Sequence, residues 1–60
     1  MPVSLSQVID GAENGNDRAE AELWARFRAV RPLDALMITD HDRQTETAIA
    51  WAKAQMEDAA

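Results

Sequence analysis

The stretch from Thr39 to Ala60 is alanine-rich and reads as one long helix, and it limits what the chain can fold into more than any other segment. Thr39 is followed three residues later by Asp42, a capping spacing. Thr45, Ala48, Ile49, Ala52, Met56 and Ala59 then recur at helical intervals. At about 100° per residue, Trp51 falls roughly 160° from Ile49. A helix with apolar groups on two sides needs two neighbours. One can come from this chain, and the second is either another molecule or, with Trp51 in the core, a further part of this chain or of a dimer. Asp40 and Asp42 sit at the positive end of this helix, which spans about 40–58.

A second helix is expected over 17–31. Leu23, Phe27 and Val30 fall at i, i+4 and i+7, with Trp24 beside them and Ala19 extending the stripe. Asp17, Glu20 and Glu22 lie toward its start and Arg26, Arg28 and Arg31 toward its end, matching the dipole at both termini. Asn16 or Asp17 can cap it, and Pro32 stops it by disfavouring helical geometry at Arg31. Residues 33–38, Leu-Asp-Ala-Leu-Met-Ile, fit either a short helix opened by Pro32 or a buried strand. Near the N-terminus, Ser4 and Gln7 have capping-box spacing and favour a turn or two of helix carrying Leu5, Val8 and Ile9. Residues 10–17, with both glycines, read as a loop.

The expected fold is therefore all-α, a helical hairpin or three-helix domain with a short N-terminal segment, and the alternative is α+β with a strand at 33–38. Residues 1–60 form one domain, in which 1–16 are a segment and loop with freedom to move. The expected core is Leu5, Val8, Ile9, Leu23, Trp24, Phe27, Val30, Leu33, Leu36, Met37, Ile38, Ile49 and Met56. The long helices pair through Leu23, Phe27 and Val30 against Ile49, Ala52 and Met56. Domains of this size bury only about 60 % of their unfolded surface, so stability is thin. With no cysteine, neither a disulfide nor a thiolate zinc site reinforces the fold.

Composition narrows the function classes. The net charge is −5, Lys53 stands alone, and the three clustered arginines complement a helix end, so nucleic acid is not an expected partner. No apolar run approaches the ~20 residues that span a bilayer, and the N-terminus lacks the basic and apolar regions of a secretion signal. No membrane association is expected, and the cytoplasm is the default location.

The run Ala35-Leu-Met-Ile-Thr-Asp-His-Asp42 is the sharpest chemical signal. It resembles a short motif of the PHP phosphoesterase family, in which a strand ends in metal-binding residues, and it is similar to the strand, Asp-x-Asp, helix element of toprim domains. The resemblance implies a metal-dependent phosphoester site using Asp40, His41 and Asp42. It covers about eight residues. The earlier His-x-His motif of the first family is missing, since His41 is the only histidine, and so is the upstream glutamate motif of the second. Three consecutive residues point in different directions and cannot converge on one ion by themselves. The simpler reading is a helix cap, in which Thr39 or Asp40 caps the helix and Asp42 completes the box.

Other constellations also fall short of chemistry. In 10–17, Asp10, Asn14 and Gly15 match calcium-loop positions one, five and six, but Ala12 and Ala21 occupy positions that need oxygen ligands. Ser4 and Ser6 follow no nucleophile pattern. Asp42 and Glu46 share an exposed helix face. No cofactor and no enzymatic activity are expected.

The expected function is a non-enzymatic protein–protein interaction module: a small acidic regulator, inhibitor or accessory subunit. It would bind a larger protein, or itself, through the C-terminal helix. Trp51 with Ala48 and Gln55, together with Trp24, are the candidate contact residues, because tryptophan is enriched at interface hot spots and alanines allow close approach. The metal-dependent phosphoester site and a structural part of a larger assembly, such as a phage particle, are the alternatives.

Overall fold

The computed structural model describes residues 4–59; residues 1–3 of the expected N-terminal segment and residue 60 of the expected C-terminal stretch lie outside the described residues, and Ala59 is described by its backbone alone. Four helices follow in order: α1 (Leu5–Glu13), α2 (Asp17–Val30), α3 (Pro32–Met37) and α4 (His41–Ala59). Among the described residues there is no strand, so the small all-helical reading holds: residues 33–37 belong to a helix and Ile38 is its extended C-cap. Pro32 takes the first position of α3, where its missing N–H leaves nothing unsatisfied.

Local capping explains where the helices begin. The Ser4 hydroxyl accepts from the Gln7 backbone N–H, and the Ser4 backbone N–H donates in return to Gln7 Oε1, both at 3.3 Å. Asn16 caps α2 by accepting from the Ala19 N–H at 3.1 Å. At α4 the Asp40 carboxylate, rather than the Thr39 hydroxyl, accepts from the Asp42 N–H at 3.2 Å. Of the two cap candidates in the sequence, Thr39 and Asp40, the structure uses Asp40.

The N-terminal loop is shorter than the composition suggested. Residues 10–13 continue α1, leaving only Asn14–Asn16 to make the turn. Gly15 has a φ of +83°, a conformation other residues rarely adopt. Gly11 has another use: a Cβ there would lie 2.9 Å from the Ala19 Cβ. Its bare backbone is what lets α1 approach α2 so closely. This segment supplies Val8, Ile9 and Ala12 to the buried core.

Leu23 and Phe27 of α2, Ala48 and Ala52 of α4, and Ala35 of α3 complete that core. Leu23 has no exposed surface. The two alanines of α4 are equally covered, so the long helix meets its neighbours through its smallest side chains. Leu5, Ala19, Trp24, Ile38, Ile49 and Trp51 pack around the centre, half-buried. Five residues expected inside are not. Val30, Leu33, Leu36, Met37 and Met56 are exposed. Met56 lies in the last stretch of α4, where no residue from Lys53 to Asp58 is buried, and Val30 is the last residue of α2. The long helices thus contribute Leu23 and Phe27 from α2 and Ala48 and Ala52 from α4 to one buried core, without Val30 and Met56.

Both sides of α4 find partners within the chain. Trp51 packs edge-on to Phe27 of α2, with ring centroids 5.9 Å apart and planes at 76°. On the Ile49 side, Ile49, Ala50 and Lys53 share a shallow groove with Ala12 and Glu13 of α1, and Lys53 Nζ donates to Glu13 Oε2 at 2.8 Å. The second neighbour that the α4 pattern demands is α1. Among the described residues no helix is long and apolar enough to cross a membrane.

Candidate docking surface

The helix α3 is packed in reverse. Of its six residues only Ala35 is buried, while Leu33, Leu36 and Met37 are 77 %, 76 % and 83 % exposed. These three fall at i, i+3 and i+4 and so share one face. A six-residue helix lying on α2 has room for one inward position, and the smallest apolar residue occupies it. Val30, 62 % exposed, immediately precedes the turn into α3.

Two depressions flank this apolar face. One is lined by Trp24, Arg28, Pro32, Leu36, Ile38 and Gln44, and the other by Met37, Ile38, Thr39, Asp40 and Arg43. Ile38 belongs to both, so the face continues from α3 into the link before α4. That link is fixed: the Gln44 amide donates to the Ile38 carbonyl at 3.0 Å. Arg31 and Asp34 pair at 3.3 Å across the start of α3, both well exposed. Among the described residues Arg28 and Arg43 have no ion-pair partner.

The residues singled out from the sequence are scattered. Ala48 is fully buried beneath the core and offers no surface in this fold. Trp51 is half-buried against Phe27, and Gln55 is exposed farther along α4. Trp24, stacked on Phe27 with centroids 5.4 Å apart, is the one of the four that reaches the apolar depression beside α3. Sequence reasoning missed Leu33, Leu36 and Met37 as surface residues. Their i, i+3, i+4 spacing was legible, but it does not say which way the face points.

A polar cluster joins α2 to the start of α4. Thr45 Oγ1 lies 3.2 Å from both Glu20 Oε1 and the His41 carbonyl, and His41 Nε2 is 3.7 Å from the same Glu20 oxygen. The Glu20 side chain is largely covered, whereas the His41 side chain is open to solvent. His41 therefore points toward Glu20 and not toward a site shared with Asp40 and Asp42, whose own link is the helix cap. Among the described residues, no three His, Asp or Glu side chains are grouped as a metal ion would require. Asp42 and Glu46 lie exposed on α4, and Ser4 and Ser6 are exposed as well.

No family model, no curated protein and no solved structure matches this chain.

Proposed function

We propose that the chain is a non-enzymatic protein–protein interaction module, a small acidic accessory or regulatory protein whose docking surface is the outward face of α3 with the depression beside Trp24. The observation that carries this reading is the reversed packing of α3: a folded core that covers Ala35 while leaving three larger apolar side chains of the same helix in water. Contiguous exposed apolar surface is unfavourable for a solitary protein and marks interaction sites. The reading keeps Trp24 among the contact residues and moves the centre of the surface away from Trp51 and Gln55. A permanent place in a larger assembly would use the same face and differ only in lifetime.

The test is site-specific photo-crosslinking in the native cellular environment, with the reactive group placed in turn at Leu33, Leu36 and Met37 and, as a control, at Ala54 on the exposed part of α4. Adducts are expected from position 36 and not from 54. Absence of any adduct from 33, 36 or 37 overturns the proposal. The metal-dependent alternative would show instead as a rise in melting temperature with Mg²⁺, Mn²⁺ or Zn²⁺ that vanishes in Asp42→Ala.

A further inference from the structure

The charges around the outward face of α3 are not equally free. Arg31 and Asp34 hold each other at 3.3 Å. The Asp40 carboxylate accepts from the Asp42 N–H at 3.2 Å and lies at the positive end of α4, which offsets its charge. Arg28 and Arg43 have no ion-pair partner among the described residues. What remains to meet a partner here is positive, in a chain whose net charge is −5. The larger depression repeats the pattern. Its volume is about 610 Å³, room for an apolar side chain from outside. Trp24, Leu36 and Ile38 give it apolar walls, Arg28 is the one charged residue that lines it, and no acid does. Its walls are preset, since Trp24 stacks on Phe27 and Gln44 is bonded to the Ile38 carbonyl. Arg43 lines the second depression, which meets the first at Ile38 and Thr39. A free guanidinium thus adjoins apolar surface in both.

Resting on the reading of α3 as a docking surface, we infer that its occupant is an acidic, apolar segment of a different protein. Apolar side chains of that segment cover Leu33, Leu36 and Met37 and enter the depression beside Trp24. Its carboxylates pair with Arg28 and Arg43. A guanidinium presents paired N–H donors that match the two oxygens of a carboxylate. A phosphate polymer rewards many clustered cations, and two beside an apolar face do not supply them. A second copy of this chain would set free arginine against free arginine, with the aspartates of the border already engaged. The net charge of the chain opposes an acidic partner at long range. Salt screens charges beyond about 10 Å, however, so the groups at the border govern the contact.

The experiment adds changes of charge to photo-crosslinking from position 36 of the full chain in its native cellular environment. Arg28→Glu together with Arg43→Glu should cut the yield of adduct at least ~10-fold, because like charges then face each other. Arg28→Gln together with Arg43→Gln removes charge without reversing it and should lower the yield by a smaller factor. The corresponding pair of lysine substitutions should retain most of it. Arg18→Glu, at the opposite end of α2, should leave it unchanged. Arg28 and Arg43 are exposed, so circular dichroism should show the helix content retained in every variant. Sequencing the crosslinked peptide should find Asp or Glu beside apolar residues at the point of attachment. A yield indifferent to the double reversal, or raised by it, overturns the acidic partner while the docking surface stands. An adduct of twice the 6.7 kDa chain mass does the same, since the occupant is then a second copy. If no adduct forms from 33, 36 or 37 in the parent, the docking surface falls and the acidic partner with it.

Discussion

Two helices with similar sequence credentials are treated in opposite ways. In α4 the apolar stripe turns inward, and Ala48 and Ala52 sit fully covered beneath Leu23 and Phe27. In α3, Leu33, Leu36 and Met37 point outward while Ala35 takes the inner position. The difference comes from how many neighbours each helix has. The nineteen-residue α4 lies against both α1 and α2 and uses small side chains to settle between them. The six-residue α3 packs mainly on α2, and among the described residues its Leu33, Leu36 and Met37 side is left exposed. Apolar character decides that a face wants cover; the number of available elements decides whether it gets it.

The comparison breaks most readily at its buried pole. Leu23→Ala removes the one large side chain with no exposure, and such deletions cost about 2–5 kcal/mol. In a domain of sixty residues with no disulfide this is expected to leave much of the population unfolded at room temperature. Urea titration followed by circular dichroism reads it directly. A midpoint unchanged from the parent would mean that the core is not where Leu23 sits.

Trp51→Ala tests whether the α4 tryptophan belongs to the inside. It is half-buried and edge-on to Phe27, so a loss of about 2 kcal/mol is expected, below the range for fully buried aromatics. The thermal melt of the isolated protein should fall accordingly. A melt that does not move would return Trp51 to the surface and revive the C-terminal helix as the contact region.

Gly11→Ala comes next, with two opposed effects. Alanine raises helix propensity by about 1 kcal/mol, but its Cβ would meet the Ala19 Cβ at 2.9 Å. Forced contacts of this kind cost about 1–3 kcal/mol, so a net destabilisation near 1 kcal/mol is expected. The double variant with Ala19→Gly should recover the steric part, and the cycle of single and double variants isolates it.

How much of this was legible follows from what each residue's role depends on. The caps at Ser4 and Asn16, the stop at Pro32 and the Leu23–Phe27 stripe are local, encoded within one or two turns, and the helices follow from them. Gly11 was not legible. A glycine amid Asp, Asn and a second glycine looks like a turn, and its real use depends on Ala19, eight residues on and across a helix crossing. Ala48 was misjudged as surface for a related reason. A small residue permits close approach by any neighbour, and the sequence does not say whether that neighbour is α2 or another molecule. The orientation of α3 was hidden as well. Six residues are too few for periodicity to set inside against outside, so Leu33, Leu36 and Met37 were counted as core, and the site that now carries the functional reading was absorbed into it.

The smallest expected effect sharpens the comparison most. Leu36→Ser exchanges a leucine for a polar residue, as harsh a change as any made in the core, at a position that is 76 % exposed. Surface substitutions away from caps and buried groups stay within about ±0.5 kcal/mol, so the melting temperature of the purified variant should match the parent. Melted inside cells, beside the partner, the two should separate. Anything bound only to the folded state adds stability by mass action, and a parent protein covered on its α3 face gains what Leu36→Ser cannot. A gap found in cells and absent from the purified proteins would place Leu36 outside the core and inside an interface. A gap that persists in the purified proteins would mean that Leu36 supports the monomer itself, and the contrast between α3 and α4 would lose its physical basis.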